Sequence, residues 1–174
     1  FKDVPSCFDA WDIDSTYKSA PVPLTAPARI SVESDGPLLA VLRIERTLND
    51  SRMVQRVLLA RGSRRLDFET RIEWRERHKM LKVAFACGVH ANEALHEIQF
   101  GHLARPNHGS RRFDQDRFEV SMHKWSALAE ARRGAAVLND SKYGTSVNGN
   151  EIALTLLRSP LEPDMTADLG EHSF

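Results

Sequence analysis

Seven histidines are the first residues whose chemistry could define a site, because neutral imidazole is a common ligand for zinc. Five of them are spaced by multiples of six positions, at His78, His90, His96, His102 and His108. On a strand, a six-residue step keeps the side chains on one face but separates them by about 20 Å. The spacing is neither that of a helical zinc pair nor that of a zinc finger, so we predict no metal site in this chain.

Three carboxylates surround a tryptophan near the beginning of the sequence, at Asp9, Asp12 and Asp14. On an extended segment they could act as an acid–base pair or bind calcium, but the glycine and distal glutamate of an EF-hand loop do not accompany them. We therefore favour a structural interpretation. Phe8 and Trp11 would anchor the segment, and the carboxylates would cap backbone amides or pair with arginines.

The second polar cluster joins an aromatic ring to hydrogen-bond donors, in His123, Lys124 and Trp125. A pyranose has an apolar C–H face and hydroxyl edges, and a tryptophan beside donors suits both. A buried tryptophan with polar neighbours has the same composition. The sequence leaves these two alternatives open.

The segment 139–144 carries the densest set of donors and acceptors after an apolar stretch. Its polar side chains are those of Asn139, Asp140, Lys142 and Tyr143. They could bind sugar hydroxyls, and Gly144 would let the chain turn away afterwards. The alternative is that Asp140 caps the turn and Tyr143 packs beneath it.

Alternation with period two is the pattern that must position these residues. It is clearest over 65–75, where apolar residues alternate with charged ones. Leu66, Phe68, Ile72 and Trp74 are predicted to face the core, and Arg65, Asp67, Glu69, Arg71 and Glu73 to face solvent or a partner domain. Shorter candidate strands occupy 28–33, 38–45, 53–60, 81–89, 95–100, 117–122, 135–138 and 151–157. Turn residues at 35–37 and 148–149 predict hairpins, and one short helix is predicted around 125–133.

About nine strands joined by short turns predict an all-β fold, an antiparallel β-sandwich. Residues 1–27 are predicted to be an extended lead-in that packs on a sandwich formed by 28–174. The sequence ends abruptly in what resembles the start of another strand. We therefore expect an incomplete piece of a larger domain, with an edge or a slice of core exposed.

Composition excludes several classes of protein. The 174 residues contain 24 Lys+Arg and 24 Asp+Glu, and this balance argues against nucleic acid as a partner. The sequence has no apolar run of about 18 residues, so no membrane span is expected. Two cysteines cannot build a disulfide framework. Without an initiating Met or a visible signal peptide, the chain is expected to be a fragment or a processed chain.

Six ordered blocks, taken together, resemble the α-mannosidases of glycoside hydrolase family 38, and most closely their cytosolic and bacterial members. The blocks are FDAWDIDSTY at 8–17, ERHKMLKVAF at 76–85, EIQFGH with RPNH at 97–108, FEVSMHKW at 118–125, LNDSKYG at 138–144, and LRSP followed by PD, AD and GEH at 157–172. They span nearly the whole chain. The sequence departs from the family pattern after the second block, at Ala86 and Cys87, near the fourth block, at Ala129 and 131–134, and in the fifth block, at Ser141.

The resemblance implies the C-terminal β-sandwich region of such an enzyme, similar to the supersandwich and galactose-mutarotase folds. The parent would hydrolyse terminal α-mannosidic bonds with retention, in the cytoplasm. Its nucleophile and its zinc ion would belong to an N-terminal catalytic barrel, followed by a helical domain, both absent here. No catalytic residue, metal ligand or cofactor is therefore expected in this fragment, which we predict to be inactive alone.

The expected partners are the chain's own N-terminal catalytic domain and a mannose-containing oligosaccharide. The expected substrate-binding residues are Asn139, Asp140, Lys142, Tyr143, His123 and Trp125. Two alternatives stay open, a stand-alone carbohydrate-binding sandwich and a purely structural domain. Exposed tryptophans would favour the first, and a broad apolar patch without a pocket would favour the second.

Overall fold

The computed structural model describes residues 1–161, 166 and 168–174. Of the sixth sequence block, Pro163, Asp164 and Ala167 lie outside the described residues. The described strands are β1 Arg29–Asp35, β2 Leu39–Leu48, β3 Ser51–Ala60, β4 Asp67–Trp74, β5 Met80–Ala86, β6 Glu93–Ile98, β7 Gly101–Pro106, β8 Val120–Ser121, β9 Trp125–Ala129, β10 Gly134–Leu138, β11 Gly144–Asn148, β12 Glu151–Arg158 and β13 Gly170–Ser173. The described helical elements are one 3₁₀ turn, Tyr17–Ser19, and α1, Arg112–Gln115.

All the described strand pairs are antiparallel, as the short turns between strands predicted. Both predicted hairpins form, between β1 and β2 and between β11 and β12. Gly149 has φ +57° in the second hairpin, a conformation that glycine adopts without a steric penalty. No described helix is long and apolar enough to span a membrane.

The predicted helix around 125–133 is wrong, because Trp125–Ala129 forms strand β9. This strand pairs with β10 along its whole length and with β6 at Ser126 and Ala127. Ser126 and Leu128 alternate into the interior and are fully buried. Burial on a sheet therefore outweighs the helical propensity of the alanines in this segment.

The chain forms two compact units. The first contains Phe1–Lys79 and Ser159–Phe174, and the second contains Met80–Arg158. The first unit is built on a five-stranded sheet in the order β1-β2-β3-β4-β13. The predicted division into a lead-in, 1–27, and a sandwich, 28–174, stays a prediction.

The second unit contains two four-stranded sheets, β10-β9-β6-β7 and β5-β12-β11-β8. Its core joins residues of both sheets, because Ala94 on β6 and Leu128 on β9 cluster with Ile152 on β12. All three side chains are fully buried. This apolar layer holds the strands from which the polar loops of the second unit emerge.

The five-stranded sheet of the first unit has one charged and one apolar face. On the charged face, Arg56 forms ion pairs with Glu33 at 2.8 Å and with Glu69 at 2.5 Å. Arg65, Glu69, Arg71 and Glu73 are exposed and Asp67 is half-buried, as predicted. Alternation along β4 thus identified the two faces correctly.

The prediction that the whole apolar face of β4 lies in the core is wrong. Ile72 and Trp74 are buried, but Phe68 is 41% exposed and Leu66, just before the strand, is 52% exposed. Alternation shows which face a side chain occupies, but it does not show how far along the strand that face is covered. On this face of β4, the buried part of the strand ends between Thr70 and Phe68.

Candidate functional site

The loop between β10 and β11 is organised by the side chain of Asn139. Its Oδ1 accepts hydrogen bonds from the backbone N–H of Ser141 at 3.1 Å and of Lys142 at 2.6 Å. Its Nδ2 donates to the carbonyl of His123 at 3.2 Å. This is the asparagine-stabilised turn that short polar side chains form with their own backbone. Asn139 therefore fixes the loop, and its predicted contact with sugar stays a prediction.

His123 and Tyr143 are brought together beside this turn. Their rings meet edge to face with centroids 6.1 Å apart. The backbone holds both residues, because His123 N–H donates to the carbonyl of Glu97 and Met122 N–H donates to the carbonyl of Tyr143. Tyr143 is 59% exposed, so it does not pack beneath the turn as the alternative interpretation required.

Two charged side chains complete the loop. Asp140 is exposed and Lys142 is half-buried. Burial lowers the pKa of the Lys142 ammonium, and the nearby Asp140 carboxylate opposes that effect. A carboxylate, an ammonium and a phenol therefore stand on a turn whose backbone is fixed by Asn139, and together they can donate to and accept from hydroxyl groups.

The sixth predicted site residue, Trp125, lies on the neighbouring strand β9 and is partly buried. Its ring packs against that of His102 on β7, with the centroids 6.0 Å apart. The structure therefore supports His123 as a neighbour of the loop and pairs Trp125 with another histidine.

A group of buried side chains beside this region, linked by hydrogen bonds, was not predicted as part of a site. His96 Nδ1 lies 2.8 Å from Ser126 Oγ, and that hydroxyl donates to Met122 Sδ at 2.8 Å. All three side chains are at most 2% exposed. Burial, and secondarily the positive charge of Arg105, lowers the pKa of His96 to about 4, so its ring is neutral at physiological pH. The sequence showed His96 only as a member of the six-residue histidine spacing.

A buried ion pair lies next to Thr155, the residue that faces Gly144 at the far end of the loop. Lys82 Nζ lies 2.5 Å from Glu119 Oε1 and 2.8 Å from Thr155 Oγ1, and the Lys82 and Glu119 side chains are 4% and 7% exposed. A Cβ at Gly144 would lie 3.2 Å from Cβ of Thr155. Gly144 therefore permits a close approach to this strand.

The carboxylates around Trp11 accept hydrogen bonds from backbone amides, as the structural interpretation predicted. Asp14 Oδ1 accepts from both the N–H and the hydroxyl of Thr16 at 2.8 Å, and Asp9 Oδ2 accepts from Leu161 N–H at 2.6 Å. The predicted anchoring by aromatic residues is wrong for this segment. Trp11 is 75% exposed and its neighbour Phe8 is 64% exposed.

Tyr17 supplies the anchor that Phe8 and Trp11 do not. It is fully buried and meets the ring of Phe1 edge to face at 5.2 Å. Among the described residues, no three His, Cys, Asp or Glu side chains are grouped so that they could hold a metal ion.

Comparison with known proteins places the chain in a larger enzyme family. The family described as "Glycosyl hydrolases family 38 C-terminal domain" matches residues 1–166. Human "Alpha-mannosidase 2C1" is 42% identical over 179 residues, which cover 100% of this chain and 17% of that protein. "Alpha-mannosidase G" of Dictyostelium discoideum is 40% identical over 179 residues, covering 100% of this chain and 16% of that protein.

A solved structure supports the same architecture. The crystal structure of an alpha-mannosidase from Enterococcus faecalis V583 superimposes with a TM-score of 0.76 at 17% identity, over 86% of this chain and 21% of that chain. At this identity the likeness shows the fold alone. This chain spans 16–17% of the length of the two relatives above. The match over residues 1–166 shows that it belongs to the family of C-terminal domains of the family 38 glycosyl hydrolases.

Proposed function

We propose that the chain serves as the C-terminal β-sandwich domain of a retaining α-mannosidase that hydrolyses terminal α-mannosidic bonds. Membership of the family and relatives named as alpha-mannosidases support this proposal. Retention requires a carboxylate nucleophile and an acid/base about 5 Å apart. We assign both, together with zinc, to the N-terminal catalytic barrel of the parent polypeptide. There the metal would supply contacts to sugar hydroxyls that hold and distort the ring.

The chain's own contribution is to pack on the catalytic domain and to line part of the sugar site with residues 139–143. The observation that carries this role is the turn fixed by Asn139, which holds charged and phenolic groups in place before a sugar arrives. Preorganised groups lose little conformational entropy on binding. Asp140 would accept from a sugar hydroxyl, and the Lys142 ammonium and the exposed Tyr143 phenol would donate to others.

We also place the parent enzyme in the cytoplasm. Cys7 and Cys87 are both free thiols. Structural disulfides are rare in the reducing cytosol, so unpaired cysteines support this location. Burial raises the pKa of the Cys87 thiol, which keeps that group protonated and unreactive at neutral pH.

Kinetics of the full-length parent test the role of the loop. Lys142→Ala and Tyr143→Phe should each lower kcat/KM for an α-mannoside about tenfold, the loss expected for one hydrogen bond to a substrate. The melting temperature should change little, since the turn is held by Asn139. Ser141→Ala is the matched control in the same loop, because only the backbone of Ser141 is used, and it should behave as wild type.

Two results would contradict this role. Wild-type kinetics in both variants would show that the loop does not contact substrate. Parallel losses of activity and melting temperature would leave the loop a structural role only.

A further inference from the structure

The apolar face of the five-stranded sheet contains a continuous row of side chains that crosses four strands. Val32 on β1 lies opposite Leu42 on β2, Leu42 lies opposite Val57 on β3, and Val57 lies opposite Phe68 on β4. Residues directly opposite each other in antiparallel strands project from the same face. We call Val32, Leu42, Val57 and Phe68 the apolar row. Four strands at about 4.8 Å spacing make it about 14 Å wide.

This row is open although its side chains are those of a protein core. Val32 is 65% exposed, Leu42 is 43% exposed and Phe68 is 41% exposed. Ile30 and Leu59, which lie on the same face of the sheet next to the row, are 64% and 45% exposed. Contiguous apolar patches of this kind on a soluble protein mark contact surfaces.

Exposure falls sharply along β4 on the same face, from 41% at Phe68 to 4% at Thr70. Ile72, one step beyond Thr70 on β4, is fully buried, and Trp74 is 3% exposed. The indole Nε1–H of Trp74 donates to the hydroxyl of Ser159. The apolar side chains of this face are therefore buried at the end that contains Ile72 and Trp74, and exposed at the end that contains the apolar row.

On the opposite face of the sheet, the positions directly behind the row carry ion pairs, and the neighbouring Val41 is already buried, at 2% exposed. Arg43, paired with Arg56 in the ladder, forms an ion pair with Glu45 at 3.0 Å, and Arg56 pairs with Glu33 and Glu69. Exposed ion pairs of this type need no cover. A partner would therefore gain by covering the apolar face and not the charged one.

We propose that the apolar row is the docking surface for an apolar segment of the parent polypeptide outside these 174 residues. The chain spans only 16–17% of its relatives, so most of a parent of similar length is available to supply that segment. A segment on the same polypeptide acts at an effective concentration near the millimolar range, which a second copy does not reach. The proposal rests on the proposed function only in requiring a longer parent, and not on any contact of the 139–143 loop with sugar.

Thiol labelling of the full-length parent tests this assignment. Val32→Cys places a thiol on the apolar row, and Ser31→Cys places one on the opposite face at the adjacent position. Each is pulsed with N-ethylmaleimide in native buffer and in urea, and the labelled peptides are quantified by mass spectrometry. The exposed native Cys7 reports whether the reagent is active.

The thiol of Val32→Cys should react about tenfold or more slowly in native buffer than in urea, since labelling must wait for local opening. The thiol of Ser31→Cys should react within about threefold of its rate in urea. Leu59→Cys and its neighbour Ala60→Cys repeat the comparison on β3, in case a β1 variant fails to fold.

Other outcomes would overturn the proposal. Equal native rates for the two members of each pair would mean that no segment covers the row. Protection that disappears on dilution, with a dimer in analytical ultracentrifugation, would assign the surface to a second copy. Wild-type kinetics in the loop variants would refute the sugar contact without affecting this result.

Discussion

The two compact units differ in how completely they bury their apolar surface. In Met80–Arg158, residues of two sheets meet in one core, where Leu128 and Ile152 are fully buried. In the other unit, the five-stranded sheet buries Ile72 at one end and leaves Val32 exposed at the other. We infer that the second unit is stabilised mainly by its own core, whereas the first unit needs further contacts to complete its apolar layer.

The buried polar groups of the two units can be compared in the same way. In the first unit, Glu76 is 2% exposed at the closed end of the sheet, and its Oε1 accepts from Asp50 N–H and from the Ser51 hydroxyl at 2.9 Å. Burial raises the pKa of Glu76, but hydrogen bonds led by that from Lys79 outweigh burial and lower it overall. In the second unit, the equivalent satisfied groups are His96 with Ser126. Buried polar groups with hydrogen-bond partners thus occur in the closed part of each unit.

The largest expected difference between the units is the response to truncated leucines. Leu128→Ala should lower the free energy of unfolding by about 2–5 kcal/mol, because it leaves a cavity in a closed core. Leu42→Ala, the matched control on the apolar row, should cost about 1 kcal/mol or less in the 174-residue chain, because water already reaches that side chain. Urea denaturation followed by circular dichroism measures both. Equal losses in the two variants would contradict the difference between the units.

A second test uses pH, since His96 lies in the closed unit. The folded pKa is about 4, and an unfolded histidine has a pKa of about 6.5. Between these values the unfolded chain binds the proton more readily, so the free energy of unfolding falls as pH drops from about 6.5 to about 4. Above about pH 6.5 the contribution is fully present. The total loss should approach about 3 kcal/mol, at 1.36 kcal/mol per pKa unit.

His96→Asn keeps an amide that can donate to Ser126 but does not titrate. Its unfolding free energy should therefore vary less with pH than that of the wild type over this range, as measured by urea denaturation at several pH values. His102→Asn, at an exposed position, is the control and should retain the wild-type slope. An unchanged slope in His96→Asn would show that other groups cause the acid sensitivity.

Local patterns predicted the antiparallel sheets and their hairpins because these depend on neighbouring residues. The alternation over 65–75 and the glycine at 149 both act within a few positions of the strand that they define. Strand β11, Gly144–Asn148, was missed because its buried residues are polar. Thr145 and Ser146 are buried there, and Thr145 Oγ1 donates to the carbonyl of Ala153 at 3.1 Å. A pattern of apolar residues cannot reveal such a strand.

The candidate site, too, was predicted only where its residues are close together in sequence. The density of polar residues identified the loop around Asn139 and Tyr143, because all its members are adjacent in sequence. The support from His96 and Ser126 was missed because these residues are 30 positions apart and meet only across paired strands. The exposure of Trp11 was missed for a related reason, since a tryptophan between carboxylates does not indicate which surface it faces.

The loss expected for Phe68, on the apolar row, is smaller than the losses expected for Leu128 and His96. A fully buried phenylalanine loses about 3–5 kcal/mol on truncation to alanine, but this one is 41% exposed. Phe68→Ala should therefore cost about 1–2 kcal/mol in the 174-residue chain, as measured by urea denaturation. Ile72→Val, two steps further along the same face, is a useful reference, because deleting one buried methyl group costs about 0.5–1.5 kcal/mol. If Phe68→Ala costs the full value of a buried ring, the row is already covered within this chain and the contrast between the two units is lost.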